Sequence, residues 1–119
     1  MADLRIEDKQ IEPGVEYVKF SGVLDASGQD AILNLEQKIN KFGPKTKVIF
    51  DFTKLDYLNS YAIGFIAHWY NFLHKQEGDI ILIKPQAQVY DTLNVLGMTN
   101  VLKIFESIEM ALQDIKAAS

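Results

Sequence analysis

The sequence predicts an α/β fold: a mixed, largely parallel β-sheet begun by an N-terminal hairpin, with about four α-helices. Three observations carry this. Two alternating or strand-like stretches flank Pro13-Gly14 near the N-terminus. Two continuous apolar runs of strand length, Val48 to Phe52 and Ile80 to Ile83, follow at intervals, as strands covered on both faces do. Between and after them the apolar residues recur with helical period.

In chain order, Leu4 and Ile6 alternate with Arg5 and Glu7, the pattern of a strand with one wet face. Pro13-Gly14 fits the central positions of a type II turn, because proline presets φ and glycine accepts a positive one. Val15 to Phe20 returns as the second strand, and Gly22 to Asp25 ends it at the sheet edge that should also carry Ser60. Ser27 with Asp30 reads as a capping-box variant opening a helix whose stripe is Ile32, Leu35, Ile39 and Phe42, stopped by Gly43-Pro44. The third strand is Val48 to Phe52, after which Leu55 and Leu58 point a short loop back into the core.

A second helix runs from Ser60 to about Gln76 with the stripe Ala62, Phe65, Ile66, Trp69, Phe72 and Leu73, and Gly78 ends it. Lys84-Pro85 closes the strand Ile80 to Ile83. A helix of about ten residues then carries Val89, Leu93 and Leu96 to Gly97. Val101 to Phe105 is a short last strand, and Ser107 caps a final helix with the stripe Ile108, Ala111, Leu112 and Ile115. Residues 117–119 should fray.

At 119 residues the chain is long enough for one domain with a core that needs no staples. A net charge of −4 argues against nucleic acid, which requires a basic face. No apolar run reaches bilayer length and no signal-peptide core opens the chain, so the expectation is a soluble, cytoplasmic domain with no membrane insertion. The lack of cysteine removes disulfides, thiol chemistry and thiolate metal sites together.

The most informative stretch joins the third strand to the second helix. Asn59 and Ser60 are both good N-cap residues directly before the helical pattern, so a hydroxyl stands at the positive end of a helix dipole. Such a position suits a phosphate. The plainer alternative is that Ser60 or Asn59 only caps the helix.

Three motifs, in matching order and spacing over nearly the whole chain, resemble the STAS domain family of anti-sigma factor antagonists and sulphate-transporter tails. They are Gly22-Val23-Leu24-Asp25 at a strand end, Asn59-Ser60-Tyr61-Ala62-Ile63-Gly64 opening a helix, and Leu93 to Met98 ending one. The resemblance implies a STAS-like fold and a binding module, not an enzyme. It makes Ser60 the phosphoacceptor of an anti-sigma factor serine kinase and Asp25 a partner-binding acid near the acceptor loop. A separate phosphatase would restore the serine. Asn59 stands where the family has Asp, Tyr61 where it has Ser or Thr, and Ala62 where it has Gly. The missing carboxylate and the bulk of Tyr61 favour a second reading, a STAS scaffold never phosphorylated and serving a transporter or signalling assembly.

At about 100° per residue, the face of the second helix opposite its stripe carries Gly64, Ala67, His68, Asn71, His74 and Lys75. Small and nearly uncharged side chains along Gly64, Ala67 and Asn71 lose little entropy when covered, so this ridge is expected to dock a partner. The candidate partner-binding set is Asp25, Asn59, Tyr61, Gly64, Ala67, His68 and Asn71. His68 and His74 lie about 240° apart around the helix and cannot share a metal, so no metal or cofactor is expected. Asp51 and Asp56 lack an activated nucleophile and read as a surface acid pair.

Overall fold

Pro13 and Gly14 turn the chain between β1 (Arg5–Glu12) and β2 (Val15–Leu24), with Gly14 at φ 79°, a conformation that glycine adopts at no steric cost. The computed structural model describes residues 3–118. After the hairpin come α1 (Gln29–Asn40), β3 (Lys47–Leu58), α2 (Ser60–Lys75), β4 (Asp79–Ile83), α3 (Ala87–Val95), β5 (Lys103–Phe105) and α4 (Ile108–Ala117). The five strands lie in sequence order. β1 pairs with β2 antiparallel, and β2 through β5 are parallel. The mixed, largely parallel sheet read from the sequence is the sheet observed.

Alternate residues of each central strand face opposite layers. Val48, Phe50 and Phe52 of β3 join Phe20, Ile80 and Leu82 beneath α1, α2 and α3, which contribute Ile32, Ile39, Ile66, Trp69 and Leu93. Phe20 sits edge-on to Phe50 and Phe52 at 4.9 and 5.2 Å, and Trp69 edge-on to Phe50 at 6.0 Å, the geometry that aromatic quadrupoles favour. On the other face Val15, Ile49, Ile81 and Ile83 pack with Ala111 and Ile115 of α4. β4 is therefore buried on both faces, as its unbroken apolar run implied.

Several expected boundaries move. β3 does not stop at Phe52: it continues to Leu58 against β2, so Leu55 and Leu58 are buried strand residues and not a loop. Two irregularities hid this, because Asp51 to Lys54 spans the same length of ladder as Lys19 to Ser21, and Leu55 to Tyr57 the same as Gly22 to Val23. β4 ends opposite Asp51. Beyond that point α3 completes the edge, with the Gln86 and Gln88 amides donating to the carbonyls of Thr53 and Asp56 at 3.1 and 3.0 Å. α3 stops at Val95, and Leu96 is half exposed and outside the stripe assigned to it. β5 starts at Lys103 and not at Val101, because the backbone N–H groups of Val101 and Leu102 donate to the Met98 carbonyl at 3.1 and 2.9 Å, closing the 3₁₀ turn Met98–Asn100. α4 keeps its helical form through Ala117; of the expected fraying segment, Ser119 lies outside the described residues.

Candidate functional site

Leu24 and Leu58 are the last register pair of the β2–β3 ladder, so Asp25 and Asn59 leave neighbouring strand ends together. Asp25 turns its carboxylate onto its own loop, accepting from the Ser27 backbone N–H at 2.9 Å and the Ser27 hydroxyl at 2.5 Å. It is thus Asp25, and not Ser27 with Asp30, that caps this turn; the 3₁₀ turn Ala26–Gly28 intervenes, and α1 starts behind Gly28 with no side-chain cap. Gly28 packs tightly on Leu4, since an added Cβ would stand 2.6 Å from a Leu4 methyl.

Asn59 is extended and its side-chain oxygen accepts from the Ala62 N–H at 3.2 Å, which makes it the N-cap of α2. Ser60 is the first helical residue and is exposed. Its hydroxyl has no hydrogen-bond partner among the described residues, so the helix keeps its cap without it. The Ala62 and Ile63 N–H groups are taken by the side-chain and backbone oxygens of Asn59, and a helix leaves the earlier N–H groups of its first turn without intrahelical partners.

Tyr61, the next residue, is half buried and edge-on to Phe65 at 5.3 Å, and Phe65 lies 5.7 Å from Trp69. Its bulk is therefore drawn back against the helix. With Gly64, Phe65, His68 and Glu36 of α1 it lines a surface depression of about 380 Å³. Glu36 accepts from the Trp69 indole N–H at 3.2 Å, and His68 lies 3.9 Å from the same carboxylate. Sequence reasoning missed this groove, because Glu36 belongs to another helix and only the aromatic spacing from Tyr61 to Phe65 hinted at it.

The ridge is narrower than expected. Gly64, His68, Asn71, His74 and Lys75 are exposed, but Ala67 is half buried against the core. The buried arc of α2 is wider on that side because Ile63, which the assigned stripe omits, is also buried. An added Cβ at Gly64 would meet nothing within 4 Å. The histidines stay apart, His74 stacking on Tyr70 at 4.5 Å and lying 3.7 Å from Asp79. Among the described residues no group of three metal-ligating side chains assembles.

Asp51 is not a surface acid. It is 8 % exposed, accepts from the Thr53 N–H and hydroxyl at 2.9 and 2.6 Å, and takes the Tyr17 hydroxyl on its other oxygen. Burial pushes its carboxyl up, but the hydrogen bonds from Thr53 and Tyr17, with Lys19 nearby, outweigh it and hold the group below the usual range. Tyr17 is pushed up by burial and by that same carboxylate. Asp56, by contrast, is exposed and accepts from Gln86 at 3.3 Å. The two acids thus stand in different environments with different partners. Among the described residues no helix is long and apolar enough to cross a membrane.

Residues 8–111 match the family model of the STAS domain. No curated protein matches the sequence. Among solved structures, the unphosphorylated anti-sigma factor antagonist SpoIIAA superposes with a TM-score of 0.80 at 18% identity, over 95% of this chain and 97% of that one. The Bacillus cell fate determinant SpoIIAA in its phosphorylated form gives 0.71 at 16% identity, over 93% and 99%. A sulfate transporter family protein from Wolinella succinogenes gives 0.74 at 20% identity, over 92% and 90%. At these identities the likeness is one of fold.

Proposed function

The chain belongs to the STAS domain family, and on that premise we propose that it is a regulatory binding module of the anti-sigma factor antagonist kind, switched by phosphorylation of Ser60. The observation that carries this reading is the separation of two tasks at one helix end: Asn59 caps α2, leaving the exposed Ser60 hydroxyl without a structural bond. A phosphate there meets free N–H groups and the positive end of the helix dipole. The unmodified protein binds a kinase-type anti-sigma factor in the cytoplasm through Asp25, Asn59, Tyr61, Gly64, His68 and Asn71, with Ala67 contributing only its exposed edge. The kinase then phosphorylates Ser60, and a phosphatase reverses the change. The domain is substrate and ligand in this scheme and performs no chemistry itself.

A second reading, an unphosphorylated scaffold in a transporter or signalling complex, is favoured by Tyr61, a bulky residue directly after the acceptor in the chain, and by the absence of a carboxylate at position 59. Incubation with the cognate kinase-type anti-sigma factor and ATP, followed by peptide mass spectrometry, decides between them. Phosphate on the Ser60 peptide supports the switch; a complex that forms without phosphate transfer supports the scaffold.

A further inference from the structure

We propose that β1 is a self-complementary edge through which two copies of this chain associate, extending the sheet across a two-fold axis centred on Asp8. β1 is the terminal strand of the sheet and offers one whole side of its backbone from Arg5 to Glu12. Its ladder with β2 is regular up to Gln10, where a bulge begins. Two identical strands joined antiparallel about an axis normal to the sheet oppose residues that share a face, so the sum of opposed residue numbers is even.

Charge then selects the register. Centring on Glu7 sets Glu7 against Glu7 and Arg5 against Lys9, and centring on Lys9 sets Lys9 against Lys9. Both place like charges in direct opposition, which is unfavourable. Centring on Asp8 sets Glu7 of each copy against Lys9 of the other, twice, and Ile6 against Gln10. The two Asp8 carboxylates then meet across the axis, but each already carries the Lys38 ammonium of α1 at 2.6 Å, so the meeting point is neutral overall. Neither Glu7 nor Lys9 has an ion-pair partner among the described residues; Lys9 only lies 5.7 Å above the Tyr17 ring. Charged edges usually block strand addition. Here the alternation of sign disfavours both adjacent registers. Centring on Ile6 would also set Arg5 against Glu7, but it overlaps the two strands only over residues 5–7, whereas centring on Asp8 overlaps residues 5–11.

An interface confined to one strand is small, so association is weak and needs high concentration. Sedimentation equilibrium of the intact chain up to about 1 mM tests it, the expected mass rising from 13.5 kDa toward twice that value. Lys9→Glu and Glu7→Lys should each stay monomeric, and the charge-swapped Glu7→Lys/Lys9→Glu protein should regain the self-association. Circular dichroism establishes that each variant is folded. A wild type that remains monomeric at 1 mM overturns the proposal, and so does a dimer that either single reversal leaves intact or that the double swap does not restore.

Discussion

Leu24 and Leu58 oppose each other at the last rung of the β2–β3 ladder, and that one register pair brings Asp25 beside the N-terminus of α2. The two strands reach this rung together only because each irregularity in their pairing absorbs an extra residue of β3. The site is thus set by strand register rather than by loop length. Ser60 inherits its place from the ladder below it.

The cap is the first test. Asn59→Ala removes the acceptor for the Ala62 N–H and should cost about 1 kcal/mol, or roughly 4 °C in a domain of this size. Asn59→Asp keeps the acceptor and adds a negative charge at the positive end of the helix, so its melting temperature should equal or exceed that of the wild type. Thermal unfolding followed by circular dichroism checks both.

Asp51 gives a pH prediction. Its carboxyl titrates lower in the folded chain than in the unfolded one. The stability it contributes is therefore present above the unfolded value of about 3.9 and is lost as pH falls through the folded value. Tyr17→Phe removes one donor to that carboxylate, at a cost on the order of 1–2 kcal/mol at neutral pH. The variant's acid-unfolding midpoint should move to higher pH. An unchanged midpoint would remove Asp51 from the acid response.

Much of this was legible from local pattern. The Pro13-Gly14 turn, the doubly buried run Ile80 to Ile83 and the Asn59-Ser60 helix start each follow from a few adjacent residues, and each is observed. The continuation of β3 was not, because the irregularities after Asp51 and Leu55 break the alternation that marks a strand. The burial of Asp51 was equally hidden: its partner Tyr17 lies 34 residues away. The one local signal was an acid inside the apolar run Ile49-Phe50-Asp51-Phe52, and a buried carboxylate requires donors that sequence does not locate. Ala67 was placed by angle alone, which ignores how far the core wraps around α2 through Ile63.

Trp69 tests the register of α2. It is 1 % exposed, fills the space over Phe50 and donates to Glu36. Trp69→Ala should cost about 3–5 kcal/mol, a large share of the 5–15 kcal/mol of a typical domain. In the wild type, iodide should leave the single tryptophan's fluorescence nearly unquenched. Strong quenching would place the indole in solvent and rotate the exposed face of the helix with it.

Gly64 separates stability from binding. No neighbour stands within 4 Å of a Cβ added there, and glycine inside a helix is about 0.5–1 kcal/mol less favourable than alanine. Gly64→Ala should therefore raise the melting temperature by a few degrees. Gly64→Arg should fold as well as the wild type and yet weaken partner binding at least about tenfold, or 1.4 kcal/mol, by filling the depression beside Tyr61 and His68. Undiminished binding by a folded Gly64→Arg protein would move the interface off this face.

Ser60 carries the last prediction, because a phosphate at this residue should act oppositely on the fold and on the complex. The modification adds a charge of about −1.5 to −2 at neutral pH. Within the chain that charge faces the N-terminus of α2, whose cap at Asn59 does not use the Ser60 hydroxyl, so no structural bond is lost. A partner packed against the same helix end must desolvate the charge or supply a cation, and an unpaired buried charge costs several kcal/mol. Ser60→Glu should accordingly melt within a few degrees of the wild type while losing most affinity for the cognate anti-sigma factor, as calorimetric titration would read. Ser60→Ala should bind that partner and stay bound when ATP is added. Release of the Ser60→Ala complex by ATP would show that the switch operates through another residue, and Ser60 would then be a surface residue of the helix start and no more.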